Sequence, residues 1–442
     1  MVDLGAAGEP WAASIATGFQ VRESLSPAAL PQAYMPYPGH RCLTCSKQFG
    51  DGAPDRAKWE ATARQPFRVE GDWESVLTSP EIEVISSGYI WTEGPVWVPK
   101  EKAVSPACAA TCFCFSAARC LRDRRCRPQL YYTDVPAACI YRWTAETGSK
   151  LHVRDGGGWD GSNVDDILIR AEPGSNGMAL DPDGEHVYIC QHPLRRVIRV
   201  KLGSIPPGTR MCDNPDLFTV VADKSPHGTV FNSPNDVCVG PDGAVWFTDP
   251  PYGMLEKSRF CDEFTGGRSY LDERCAECAG IKGVYRVPPN GGEIELATAF
   301  HERPNGLAFS VDWQTMWVAD SSLRNPTWTG YAVNQDDQSI GKAHTVLCQA
   351  TLGASLGGNL DRPKLGDEGL ADGFRCDVDG RIWSSMPDGI CVLDPGTMEV
   401  ICQVYMGVNT ANLVFGDDGD VFICGAGHVW RIQRKVPAGA SM

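Results

Sequence analysis

The sequence of 442 residues has no run of about 18 apolar residues, so it offers no transmembrane helix. Met1–Gln20 contains no basic segment followed by an apolar core, and a secretory signal is therefore not evident. These two absences predict a cytoplasmic chain with no membrane partner and with most thiols reduced. A basic excess is also missing. The formal net charge is −15, whereas a nucleic-acid binder carries a basic surface, so no nucleic-acid partner is expected. The acidity favours solubility and is compatible with an acidic channel that attracts a cation. No Gly-x-Ser-x-Gly elbow occurs, which leaves serine-hydrolase chemistry without local support.

The chain is 43% hydrophobic and holds 47 Gly, 32 Pro and 13 Trp. Gly and Pro punctuate turns and Trp favours strands, so many short strands are expected. Nineteen cysteines are present. Cys190, Cys238, Cys376, Cys391 and Cys424 fall in strand-like runs, where Cys serves as a small hydrophobe. Cys42/Cys45 and Cys275/Cys278 have the spacing of zinc-ligand pairs, but they are far apart in loop-like surroundings. Residues 1–82 lack regular alternation and read as an irregular, partly disordered extension. A Cys-rich, Arg-rich insert occupies about 101–128, and 436–442 form a tail.

Between them, over 83–435, a unit recurs. Ser175–Cys190, Pro234–Asp249, Pro304–Asp320 and Ala371–Ser385 each carry an Asn or Asp as their second residue, followed by an alternating apolar strand, a turn and an aromatic-bearing strand. The leading residues are Asn176, Asn235, Asn305 and Asp372. Each precedes a turn aspartate by seven positions: Asp183, Asp242, Asp312 and Asp379. Asp-Gly follows in three of the four, a short-hairpin signal. Weaker copies flank these. Glu93 leads one, with Leu130–Asp134 as its partner strand. Asn412 is the candidate in the other, although strict counting places Ala411 there. Six such units, with spacings of roughly 55 to 70 residues among the strong copies, predict an all-β, six-bladed β-propeller.

Innermost propeller strands line the axis. Aligned as above, Glu93, Asn176, Asn235, Asn305, Asp372 and the softer Asn412 form a ring of oxygen donors at one end of the channel. Carboxylate and amide oxygens suit a hard divalent cation, Ca²⁺ first, with Mg²⁺, Mn²⁺ or Zn²⁺ as alternatives. No His stands at these positions, which disfavours zinc. A bound cation would polarise a carbonyl or phosphoryl oxygen and acidify a water, with Asp372 placed to take the proton. Asn176 and Asn235 can hydrogen-bond substrate hydroxyls. Asp236 adds a carboxylate beside the ring, and Tyr252 sits in a loop that can shape the mouth. Asn and Asp before Gly are also ordinary turn residues; Glu93 has no such turn role.

These residues resemble the gluconolactonase family, which includes regucalcin (senescence marker protein) and luciferin-regenerating enzyme. The resemblance spans about residues 85 to 433. Its motifs are EGPVW at Glu93, SPNDV at Ser233, WFTDPPYG at Trp246, RPNGLAFS at Arg303, VADS at Val318, ADGFRCDVDGRIW at Ala371 and NTANLVFG at Asn409. It implies one catalytic divalent metal held by Glu93, Asn305 and Asp372. It also implies that Asn235 contacts substrate or metal-bound water and that Asp372 is the base. Regucalcin-like members carry an arginine where Ser233 stands, so this chain is closer to the microbial gluconolactonase type. The expected activity is hydrolysis of a small sugar lactone such as glucono-1,5-lactone. A phosphotriesterase-like hydrolase and a non-catalytic calcium-binding scaffold are the competing readings.

Overall fold

In a computed structural model of the chain, the described residues are 21–23, 68–99, 128–160, 173–254, 281–289, 291–322, 327–348, 371–386, 389–397, 399–406 and 408–436. The Cys-rich insert and both CxxC pairs lie outside them. The described strands form six sheets, each one blade. Blade 1 is Thr92–Val98, Gln129–Asp134, Cys139–Thr144 and Gly148–Arg154. Blade 2 is Ser175–Leu180, Val187–Gln191, Arg196–Val200 and Phe218–Ala222. Blade 3 is Val237–Val239, Val245–Thr248, Val284–Val287 and Glu295–Thr298. Blade 4 is Pro304–Phe309, Thr315–Asp320, Thr327–Val333 and Ile340–Cys348. Blade 5 is Phe374–Cys376, Ile382–Met386, Gly389–Asp394 and Glu399–Tyr405. Blade 6 takes Thr410–Phe415, Asp420–Gly425 and His428–Gln433 from the end of the chain. Its fourth strand, Ile82–Ser87, comes from before blade 1.

The innermost strands touch in sequence, and the sixth meets the first. The ring is therefore closed, with Ile82–Ser87 locking blade 6 to the start of blade 1. Closure turns the inner strand edges toward the central channel, so that only short, protected edges remain. Pairing also reaches upstream of the alternating sequence, because Arg68–Gly71 runs antiparallel along the outer edge of blade 5.

The hydrophobic core lies between blades rather than at a single centre. Successive side chains of a strand point to opposite faces, and in a propeller both faces meet a neighbour. Val245 and Phe247 pack toward blade 2 with Tyr188 and Cys190, while Trp246 packs toward blade 4 with Leu307 and Val318. Six such interfaces close the circle. This explains strands that read as almost continuous apolar runs. Cys190, Cys391 and Cys424 are buried free thiols in these layers, while Cys238 and Cys376 are partly exposed.

The turn aspartates close the hairpins at the far end of the inner strands. Asp242 Oδ1 accepts the Ala244 N–H at 2.9 Å and Asp312 Oδ1 that of Gln314 at 3.1 Å. Gly184, Gly243 and Gly380 follow with positive φ; at the fourth hairpin the left-handed position is taken by Trp313, at φ 60°.

Candidate active site

The near end of each inner strand carries a recurrent irregularity. In blade 1 the register passes from Glu93 opposite Thr133 to Val96 opposite Tyr131, one residue more than the partner strand advances. The same single extra residue separates Ser175 from Met178 in blade 2 and Pro304 from Leu307 in blade 4. Blade 6 repeats it between Thr410 and Asn412. A bulge of this kind re-aims a side chain. Here it falls at Glu93, Asn176 and Asn305, which are 2%, 3% and 1% exposed.

Backbone bonds tie three of the leading residues to the blade before them, and the Thr133 and Thr248 hydroxyls do the same for the Asn176 and Asn305 carbonyls. Gly177 N–H donates to the Asn235 carbonyl at 2.7 Å, and Gly306 N–H to that of Asp372 at 3.1 Å. Gly373 N–H donates to the Ala411 carbonyl at 2.7 Å. Ala411 therefore takes the leading position of blade 6, as strict counting places it. Asn412 occupies the following position, the one Asp236 holds in blade 3. The two behave alike: Asp236 Oδ1 accepts the Val237 N–H at 2.9 Å and Asn412 Oδ1 that of Leu413 at 2.8 Å. In the other four blades this second position is glycine, for a steric reason. A Cβ on Gly177 would meet Asp236 Oδ1 at 2.5 Å, and one on Gly373 would meet Asn412 Cγ at 2.0 Å. Asp236 and Asn412 fill the space those glycines leave.

Among these four glycines Gly94 alone combines a close approach to backbone with a positive φ. It has φ +52°, and an added Cβ would lie 2.3 Å from the Asn176 carbonyl oxygen. That oxygen belongs to backbone and cannot swing away. Gly94→Ala is expected to destabilise the fold by ~2–4 kcal/mol, combining overpacking with left-handed strain. Urea unfolding of the variant measures this, and a change below about 0.5 kcal/mol would contradict the packing argument.

Three carboxylates brace the loops that feed the leading residues. Asp134 accepts the N–H groups of Ile90 and Trp91 at 3.2 and 3.1 Å. Asp249 accepts those of Asn232 and Ser233 at 2.8 and 2.9 Å, and Asp320 those of Glu302 and Arg303 at 2.9 and 3.0 Å. In each case the donors stand three and two residues before the leader: Glu93, Asn235 or Asn305. Sequence reasoning assigned these aspartates no role. Their signal is the repeated Thr-Asp or Ala-Asp at or just past the end of the second strand of blades 1, 3 and 4.

Burial pushes the carboxyls of Asp134 and Asp249 up to about 7, against the backbone N–H bonds that pull them down. A folded-state value raised above the unfolded 3.8 gives stability that is present below that value and lost as pH rises toward about 7. Asp249→Asn, neutral at every pH, loses one acceptor oxygen as a constant offset. The wild-type advantage over this variant should shrink between about pH 4 and pH 8, by on the order of 4 kcal/mol. Parallel unfolding curves with a pH-independent gap would refute this.

The predicted site residues then fall as follows. Glu93, Asn176, Asn235, Asn305 and Asp372 lead five consecutive inner strands and are all buried. Glu93 is held well above the usual carboxylate range by burial, then by the charges of Asp372 and Asp236; the Gly94 N–H and the Asn412 side chain oppose this. Asp236 has Arg375 Nη1 3.8 Å from its Oδ2. Tyr252 follows the second strand of blade 3, ahead of its third, and its hydroxyl accepts a long bond of 3.3 Å from Asn305 Nδ2. Ser233 is fully buried. It donates to the Pro250 carbonyl at 2.5 Å and accepts the Gly253 N–H at 3.0 Å, so it anchors the loop that presents Tyr252.

Among the described residues, no group of three or more His, Cys, Asp or Glu forms a metal cluster. The donor set here is mixed. The Oδ1 atoms of Asn176, Asn235 and Asn305 are buried with no hydrogen-bond partner among the described residues, although buried acceptors are normally satisfied. A buried Glu93 raised further by the charges of Asp372 and Asp236, together with unsatisfied amide oxygens, fits a hard cation with oxygen ligands.

A closed six-bladed propeller with carboxylates and amides at the near ends of its inner strands defines a class of axial-site propeller proteins. Within that class, the chain belongs to the SMP-30/Gluconolactonase/LRE-like family, whose pattern matches residues 91–426. A gluconolactonase from Zymomonas mobilis is 29% identical over 362 residues, covering 81% of this chain and 82% of that protein. The fold is shared with a gluconolactonase from Xanthomonas campestris, with a TM-score of 0.56 and 23% identity over 84% of this chain and 95% of that one. A luciferin-regenerating enzyme has the same fold at a TM-score of 0.51 and 15% identity, over 85% of this chain and 99% of that one.

Proposed function

We propose that the protein is a metal-dependent lactonase that opens a small sugar lactone such as glucono-1,5-lactone. The observation that carries this reading is the set of oxygen atoms at Glu93, Asn305 and Asp372, inside a chain of the gluconolactonase family. Glu93 and Asp372 supply the charge that balances a divalent cation, with Ca²⁺ the first candidate, and Asn305 adds an amide dipole. When bound, such a cation would polarise the lactone carbonyl and acidify a water molecule.

The other steps belong to this chain's own residues. Asp372 accepts the proton of the attacking water as general base. Asn235 and Asn176, whose Oδ1 atoms are otherwise unsatisfied, accept hydrogen bonds from substrate hydroxyls. Tyr252 borders the site from the loop anchored by Ser233, and Asp236 adds a buried carboxyl beside the ring. Because Ser233 is buried and engaged with the 250–253 loop, it leaves no cationic side chain at the regucalcin-type arginine position.

The test is a panel of aldonolactones and phosphotriesters, assayed after chelation and after return of each divalent metal. Lactone turnover that depends on added metal and exceeds phosphotriester turnover is expected. Preferential phosphotriester cleavage would move the protein to the phosphotriesterase class. Cation binding without turnover of either would make it a scaffold.

A further inference from the structure

Ser321 ends the VADS segment of blade 4, and the proposed chemistry gives it no part. Its geometry ties together two of the proposed ligands. The Ser321 hydroxyl donates to the Ala371 carbonyl at 2.5 Å, immediately before Asp372. Its oxygen is then an acceptor, and Asn305 Nδ2 donates to it at 3.0 Å. The second hydrogen on Nδ2 points to the Tyr252 hydroxyl at 3.3 Å. Ser321 is itself fixed by its N–H bond to the Arg303 carbonyl, at 2.9 Å.

An asparagine amide has one donor end and one acceptor end, and packing alone scarcely distinguishes them. Here the hydrogen bonds do. Rotated by half a turn, Asn305 would set its oxygen against Ser321 Oγ, whose only hydrogen is already on Ala371. It would also aim an NH₂ group where Oδ1 now lies buried and unsatisfied. We propose that Ser321 is a positioning residue: it fixes the Asn305 amide so that its oxygen faces the channel, and it links that amide to the strand start that carries Asp372. The proposal rests on the reading of Asn305 as a cation ligand.

The test is a double-mutant cycle read by calorimetric titration of Ca²⁺ into metal-free full-length protein. Ser321→Ala is expected to weaken Ca²⁺ binding about 10–100-fold, the usual cost of losing a group that orients a ligand. Ser321→Thr, which keeps the hydroxyl, should bind within about threefold of wild type. In an Asn305→Asp background both terminal atoms are oxygens, so rotation is immaterial. There, Ser321→Ala should cost less than about threefold. Ser321→Cys is carried alongside as a variant of similar size.

A structural role alone would lower the melting temperature of the metal-free protein and impose the same penalty in both backgrounds. Either equal penalties, or a Ser321→Ala protein that binds as wild type does, overturns the role of Ser321 and leaves the lactonase reading standing. A wild-type protein that binds none of Ca²⁺, Mg²⁺, Mn²⁺ and Zn²⁺ overturns the metal reading and this proposal with it.

Discussion

Asp372→Ala is expected to lower kcat/KM for glucono-1,5-lactone by ~10²–10⁴-fold, the range for loss of a general base, and further if its ligand role is lost too. The fold should survive the change. The Asp372 backbone is held from both sides, with its N–H on Ser385 Oγ at 3.1 Å and its carbonyl on the Gly306 N–H at 3.1 Å. Truncating the side chain leaves both bonds intact. It also removes a negative charge that bears on buried Glu93. The metal-free variant should therefore melt no lower than metal-free wild type. Steady-state kinetics with near-ultraviolet circular dichroism separates these outcomes. Activity within about threefold of wild type would eliminate Asp372 as the base.

Exhaustive chelation should abolish lactone turnover, and added Ca²⁺ should restore it. The physical reason is the cost of the arrangement without a cation. Glu93 is fully buried beside the charges of Asp372 and Asp236, and such a cluster is unfavourable unless it is neutralised. The cation should stabilise the fold by about 2.7 kcal/mol at a hundredfold excess over its dissociation constant. Glu93→Gln keeps the shape and removes the charge, so it should bind Ca²⁺ at least tenfold more weakly and lose most activity. Wild-type turnover that persists after chelation would sink the metal mechanism.

Much of the propeller could be read along the chain, because its information is local. Asn176, Asn235, Asn305 and Asp372 recur at a fixed distance from turn aspartates, and that register placed them at the near ends of the inner strands. Blade 6 was harder. Its copy is one residue shorter, and counting alone left Ala411 and Asn412 in competition. The Gly373 bond to the Ala411 carbonyl decides for Ala411, while the Asn412 side chain fills the space beside Gly373. The loop-bracing aspartates were visible as letters, at the ends of YYTD, WFTD and WVAD, but their partners lie on loops distant in sequence.

The sequence by itself determined the six-fold repeat, the alternating strands, the hairpins and the oxygen-bearing leading positions, since period and turn chemistry act between near neighbours. Tertiary structure decided everything that depends on chain segments meeting from afar. Ile82–Ser87 closes a ring against His428–Gln433. Asp236 and Asn412 occupy room that Gly177 and Gly373 vacate on adjacent blades. The direction of the Asn305 amide is set by Ser321 and Tyr252 from two other strand ends. Hydrogen bonds and steric exclusion of this kind depend on three-dimensional proximity, which no local pattern encodes.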